Sequence, residues 1–155
     1  MIRKTQALVL RSRPFGDTSL TVQLFTREFG RVDGLVKGVR SGKGRQKHSL
    51  YQPLSWIEAV YYEKSSRELQ LISEGHFVQC WQRLHTDPVA VLYGLLVAEL
   101  LELCLRDTPT DLRLFDAQTQ ALHQLDSLPP GGQYRWLLDW LVNLAALLGF
   151  QPTVE

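Results

Sequence analysis

The sequence predicts an α+β protein, with a small five-stranded antiparallel barrel or sandwich followed by an α-helical domain. Three observations carry this prediction. The spacing of apolar residues changes from period two to a helical period near the middle of the chain. Turn-forming residues punctuate the first half at short, regular intervals, as small all-β modules require. Charge is also segregated: residues 1–80 hold 13 Lys and Arg against 7 Asp and Glu, and residues 81–155 hold 4 against 9, which sum to a net charge of only +1. A hydrophobic content of 45% with 21% charged residues is that of a folded chain, able to bury a core rather than remain disordered.

Each strand has a local signature. "TSLTVQLFT" alternates, placing Leu20, Val22 and Leu24 on one side and Ser19, Thr21 and Gln23 on the other. "RVDGLVKGV" follows the turn-like "REFG", which predicts a hairpin bent at Gly30. "QALVLRS" precedes them across "RPFGD", where Pro14 and Gly16 mark a loop. "LSWIEAVYYE" and "RELQLISE" form a second hairpin around "KSS". Gly34, inside a strand, suits a bend or bulge.

Helical signals begin at Asp87-Pro88, an N-cap followed by proline at the first helical position. The helix beyond it, through "VAVLYGLLVAELLELCL", is apolar almost all round, with Glu99 and Glu102 as its polar stripe, and so should be buried on most sides. "PTDLRLFDAQTQALHQLDS" reads as the next helix, capped by Thr110 and lined inside by Leu112, Phe115, Ala121, Leu122 and Leu125. "SLPPGG" breaks the chain, and "YRWLLDWLVNLAALLGF" makes a third helix stopped by Gly149 and Pro152. The domains are therefore expected at 1–79 and 80–155, joined near residues 76–86, where "HFVQCWQRLHTD" has the pattern of a short linking helix.

Cys80 and Cys104 sit in apolar or aromatic contexts outside any C-x-x-C pair, and are expected to be reduced core residues. The start "MIRKTQALVLRSR" has an apolar run of only four residues, Ala7 to Leu10, unlike a secretory signal. Trp136 to Phe150 is interrupted by Asp139 and Asn143 and is too short to cross a bilayer. A soluble, cytoplasmic protein that does not engage membranes is the expectation.

The most unusual stretch is "KGVRSGKGRQKH", Lys37 to His48, with five lysines and arginines, three glycines and no acid in twelve residues. Lys37, Arg40, Lys43, Arg45 and Lys47 have Asp33 and Glu58 as the nearest acids in sequence, so they are poorly neutralised locally. Phosphate backbones attract such a cluster through counterion release, and glycines let a loop follow an irregular strand. A solvated surface loop is the competing reading. Arg11, Arg13 and Arg31, on neighbouring strands or strand ends, favour a nucleic-acid site. "GVRSGKG" is not a nucleotide-hydrolysis loop: Gly38 to Gly42 is one residue too short, and Gly44 stands where a Ser or Thr must hold magnesium.

Phe15, Phe25, Phe29, Trp56, Tyr61 and Tyr62 crowd the same half. They are either stacking platforms for unpaired bases or barrel core; alternation puts Trp56, Glu58, Val60 and Tyr62 on one face and Ile57, Ala59 and Tyr61 on the other. His76, Cys80 and His85 have spacings that two ligands could share on a helix, but lack a fourth ligand, so no metal site or cofactor is assigned. His48 and His123 belong to no catalytic arrangement, and Glu99 and Glu102 read as a solvent stripe. No catalytic residue is assigned and an enzyme is not expected.

The stretch "ALVLRSRPFGDTSLTVQLFTREFGRVDGLVKGVRSGKG" resembles the start of the RecO family of bacterial DNA repair and recombination mediators, through "SRPFGDTS", "LFTREFGRV" and "KGVR" in that order. "YGLLVAELLELCL" is similar to the family's long central helix, and "WLVNLAALLGFQP" to its next core helix. The resemblance implies an OB-fold barrel followed by a helical domain. It implies binding of single- and double-stranded DNA, annealing of complementary strands, and loading of RecA with RecR onto DNA coated by single-stranded DNA-binding protein. Family DNA contacts match Lys37 and Arg40 here; the remaining cations are an extension from charge. Asp17 stands where relatives often carry glutamate. Relatives continue past the equivalent of Pro152, many into a four-cysteine zinc module, so no zinc site is carried over. Exposed apolar helix surface is expected here.

Two rival functions remain from the residues alone. One is an OB-fold adaptor whose loop grips an acidic peptide, such as the acidic tail of the single-stranded DNA-binding protein. The other is an RNA-binding module.

Overall fold

The computed structural model describes residues 1–39 and 45–150, with Arg45 and Gln46 described by their backbone alone. Strand β1 (Ile2–Phe15) is 14 residues long and pairs along one edge with β2 (Ser19–Thr26) and along the other with β4 (Trp56–Tyr62). β3 (Gly30–Val36) pairs antiparallel with β2, and β5 (Gln70–Gln79) antiparallel with β4. A short parallel pairing, Gly34 with Gln70 and Leu35 with Leu71, joins β3 to β5 and closes the barrel in the order β1-β2-β3-β5-β4. That is the OB-fold order. Between β3 and β4 lie a helical turn, α1 (Arg45–His48), and a 3-10 turn, Ser49–Tyr51.

The apolar run Ala7 to Leu10 shows how the barrel meets the helices. Alternation sends Ala7 and Val9 into the barrel core, and Leu8 and Leu10 outward into a second core shared with α2 (Pro88–Cys104), α3 (Leu112–Ser127) and α4 (Gln133–Leu147). Leu24 and Phe25 divide in the same way. Phe25 meets Phe115 of α3 edge-on at 5.3 Å between ring centroids, a contact worth about 0.5–1.5 kcal/mol beyond its buried area. A strand buried on both faces reads as a continuous apolar run, so this one marks the seam between the two halves.

Polar contacts fasten the same seam. Arg27 Nε and Nη2 donate to the two carboxylate oxygens of Asp116 at 2.9 and 3.0 Å. That hydrogen-bonded pairing holds the Asp116 carboxyl below its ordinary range. Gly30 has φ +67°, and a Cβ there would stand 2.9 Å from Thr110 Oγ1. Glycine thus satisfies both the left-handed turn and the close approach of the α2–α3 connection. Leu54, fully buried, also holds a left-handed φ of 67°. Its N–H donates to the Val9 carbonyl and its carbonyl accepts from Trp81 Nε1, two bonds that offset a backbone strain of about 1 kcal/mol.

Several local expectations are corrected. Residues 76–79 continue β5 along β4 instead of starting a helix, because Phe77 and Gln79 find partners in Ile57 and Trp56. The connection that follows is held by Asp126 of α3, whose carboxylate accepts from the backbone N–H of Gln82, Arg83 and Leu84. The cap of α3 is Asp111, not Thr110: its Oδ1 accepts from the N–H of Arg113 and Leu114, which turns Leu112 outward and Leu114 inward. Gly34 sits at no bulge; the irregularities fall at Val9/Arg11, Trp56/Ile57 and Val60/Tyr61. Glycine is required there because a Cβ would stand 2.4 Å from Ile72 Cδ1.

Cys80 and Cys104 are exposed rather than in the core. Helix α2 is not buried on most sides: Val89, Leu92, Leu95, Leu96 and Leu103 are exposed, in line with the expected open apolar helix surface. Among the described residues no helix is long and apolar enough to cross a membrane.

Candidate nucleic-acid interface

Antiparallel partners share a face, so the register orders the outer surface of β1, β2 and β3 into rows. The row nearest the helices is Leu8–Phe25–Arg31, and the next is Arg11–Gln23–Asp33. Then comes Arg13–Thr21–Leu35, and finally Phe15–Ser19 at the far end. Lys37 follows Leu35 by two residues and continues its alternation beyond β3. Helices α2 and α3 cover the first row. The last two rows face solvent, with Arg13, Phe15 and Lys37 all exposed.

This ordering separates the residues singled out in sequence. Arg11 Nη1 lies 3.2 Å from Glu102 Oε1 of α2, so Glu102 is no solvent stripe; its side chain is 11% exposed. Arg31 donates to the Glu102 carbonyl at 3.4 Å and lies 3.8 Å from Asp33. Both arginines are drawn into the seam. Arg13 and Lys37 stay at the open end, and Lys47 is exposed on α1. Among the described residues, no carboxylate lies within ion-pair distance of Arg13, Lys37 or Lys47. Arg40 and Lys43 fall outside the described residues, and Arg45 is placed by its backbone in α1.

Lys37 and Lys47 also border one groove of about 240 Å³, floored by Val36, Leu50, Tyr51 and Ile72. Burial pushes the Tyr51 hydroxyl up to about 12. Ser73 and Glu74 line the same groove, so its border carries two cations and one carboxylate above an apolar floor.

Lys64 and Arg67 were not singled out in sequence. They lie exposed on the β4–β5 loop, which Gln70 fastens by accepting from Lys64 N and donating to the Lys64 and Arg67 carbonyls. Arg3 takes Glu63 out of that loop's charge balance. The parallel β3–β5 pairing then brings the loop's end beside Gly34 and Leu35. The only signal available in sequence was the charged "EKSSRE", whose acids and bases balance when counted.

The aromatic ambiguity resolves by face. Ile57, Ala59 and Tyr61 point into the barrel, and Phe25 into the shared core. Trp56 stacks on Trp81, and Phe29 meets Tyr61 edge-on while Arg3 caps its ring. Phe15 remains exposed at the open end. Among the described residues no group of three or more potential metal ligands comes together, and His76, Cys80 and His85 do not converge. His85 bonds the Pro53 carbonyl.

Comparison with known proteins agrees with this architecture. Residues 1–81 match the family model described as recombination protein O N terminal, and residues 85–155 that described as recombination protein O C terminal. The chain is 34% identical to the DNA repair protein RecO of Salinibacter ruber over 154 residues, covering 99% of this chain and 58% of that protein. It is 29% identical to that of Christiangramia forsetii, covering 98% and 63% respectively. It is 32% identical to that of Chlorobium phaeobacteroides (strain DSM 266), covering 100% and 59%. The chain thus spans about three fifths of the length of the curated relatives it matches. With both family models matched in order along a barrel and its helices, the chain belongs to the RecO family.

Proposed function

We propose that this chain is the DNA-handling part of a bacterial recombinational repair mediator. It binds single- and double-stranded DNA and anneals complementary strands. In the cytoplasm, on the nucleoid, it works with RecR and the acidic tail of the single-stranded DNA-binding protein to assist RecA loading. The observation that carries the reading is the open end of the barrel face, where Arg13, Lys37 and Lys47 are exposed with no carboxylate among the described residues in reach. Arg40, Lys43 and Arg45 belong to the same segment of sequence.

The mechanism needs no covalent step. Cations held along one rim neutralise two phosphate backbones, which lowers the repulsion between the strands, and base pairing supplies the driving force. Contacts to phosphate read no sequence, so sequence preference is weak.

The test is a titration of labelled single-stranded DNA at several salt concentrations, with Lys37, Arg40, Lys43, Arg45 and Lys47 replaced together by alanine. If each neutralises one phosphate, the wild-type slope of log K against log salt includes a part of roughly −3.5 that the variant loses, along with its annealing activity. Unchanged affinity and slope would refute the placement. Binding that survives for DNA but fails for an acidic peptide would assign the loop to a protein partner instead.

A further inference from the structure

The open end of the barrel holds one residue that charge neutralisation does not use. Phe15 ends β1 with 51% of its surface exposed, although its strand neighbours place it on the same outer face as Arg13 and beside the continuation to Lys37. It packs into neither core. An exposed ring on the same face as two exposed cations is a surface on which a flat, unpaired base can lie while its phosphates reach the cations.

We infer that Phe15 is a base-stacking platform that makes the open end of the barrel a reader of single-stranded nucleic acid. Duplex DNA presents its phosphates to the same cations but keeps its bases stacked inside, so it gains nothing from the ring. The inference rests on the DNA-binding reading above and adds the strand class that the site prefers. The acid nearest in sequence, Asp17, is exposed beyond the turn.

The experiment compares Phe15→Leu, which keeps an apolar side chain but removes the ring, with Phe15→Tyr, which keeps the ring. Each is titrated by fluorescence anisotropy against a labelled oligothymidylate and a hairpin duplex of equal length. The expected result is a loss of roughly 5- to 100-fold for the oligothymidylate with Phe15→Leu, no more than twofold for the duplex, and near wild-type binding of both with Phe15→Tyr. The salt slope should be unchanged in both variants, because no charge is removed. Equal binding of the oligothymidylate by wild type and Phe15→Leu overturns the inference, as does an equal loss for both probes. The five-fold loop variant separates this failure from that of the parent reading. If that variant loses both probes while Phe15→Leu loses neither, DNA binding stands and stacking falls; if it keeps both, the DNA-binding site itself is misplaced.

Discussion

Replacing Glu102 with glutamine should make the protein less stable and a better binder of DNA. Arg11 Nη1 lies 3.2 Å from Glu102 Oε1, with the arginine side chain 42% exposed and the glutamate 11%. Glutamine keeps the size and one acceptor but removes the charge that holds Arg11 against α2. The exposed guanidinium can be solvated, so the cost is about 1–2 kcal/mol, well short of a fully buried pair. Arg11→Met should cost more, roughly 2–3 kcal/mol, because it strands the less exposed carboxylate without a counter-charge. The binding effect has the opposite sign. Arg11 shares a row with Gln23, one row from Arg13, so its release adds one cation to the open face. One further phosphate contact steepens the single-strand salt slope by roughly 0.7 and tightens binding about fivefold at 0.1 M salt. Urea denaturation measures the first effect, and anisotropy titrations across a salt series the second. An unchanged slope in Glu102→Gln would refute the argument. So would a flatter slope in Arg11→Met, which would mean that Arg11 already touches DNA.

Three further outcomes follow from the packing. Gly34→Ala places a Cβ within 2.4 Å of Ile72 Cδ1 and 2.8 Å of its Cγ1; it should cost about 1–3 kcal/mol by urea denaturation, with partial recovery on adding Ile72→Val. Asp126→Ala leaves the N–H groups of Gln82, Arg83 and Leu84 without their acceptor; a loss of about 3 kcal/mol, and protease cutting between β5 and α2, should follow. Tyr51 is neutral when folded up to about 12, against an ordinary value of 10.0. Its burial therefore contributes stability that is intact below pH 10 and lost as pH rises toward 12, by about 2–3 kcal/mol. Alkaline denaturation of wild type and Tyr51→Phe, which lacks the titrating group, measures that difference.

The barrel was legible because its signals are local. The alternation of Leu20, Val22 and Leu24, the turn at Gly30 and the hairpin around "KSS" each lie within a few residues, and all three hold. What escaped depends on contacts between distant residues. Nothing near residues 76–79 says that β4 will take them as a strand, nor that β3 and β5 will run parallel and bring the end of the loop of Lys64 and Arg67 beside Gly34 and Leu35. Glu102 looked like solvent stripe because its partner, Arg11, is 91 residues away. The candidate site was legible as a composition, since Lys37 to Lys47 stands out in any window. Its extent was not: Arg11, Arg13 and Arg31 are equivalent as letters, and only the register of β1 against β2 and β3 separates them.

The charge segregation of the chain has two destinations. A basic first half and an acidic second half attract each other as well as outside partners, and here part of the excess is spent internally. Arg27 meets Asp116 and Arg11 meets Glu102, each pairing a barrel cation with a helix acid across the seam. These contacts lie beside the apolar surface of Leu8, Leu10 and Phe25, and with the Arg11 and Arg27 side chains still 42% and 34% exposed they turn the cations toward the helices without burying them. Among the described residues, no acid of α2, α3 or α4 pairs with the cations at the open end, so an added anion meets no competing carboxylate from this source. The helices therefore do more than fill a core: among the described residues their acids pair with cations at one end of the strand face and with none at the other, and under the proposed function that difference would set the direction from which a polyanion approaches. On that account, moving an acid to the open end should inhibit DNA binding more than the same acid placed near Arg27, even though the net charge of the two variants is equal.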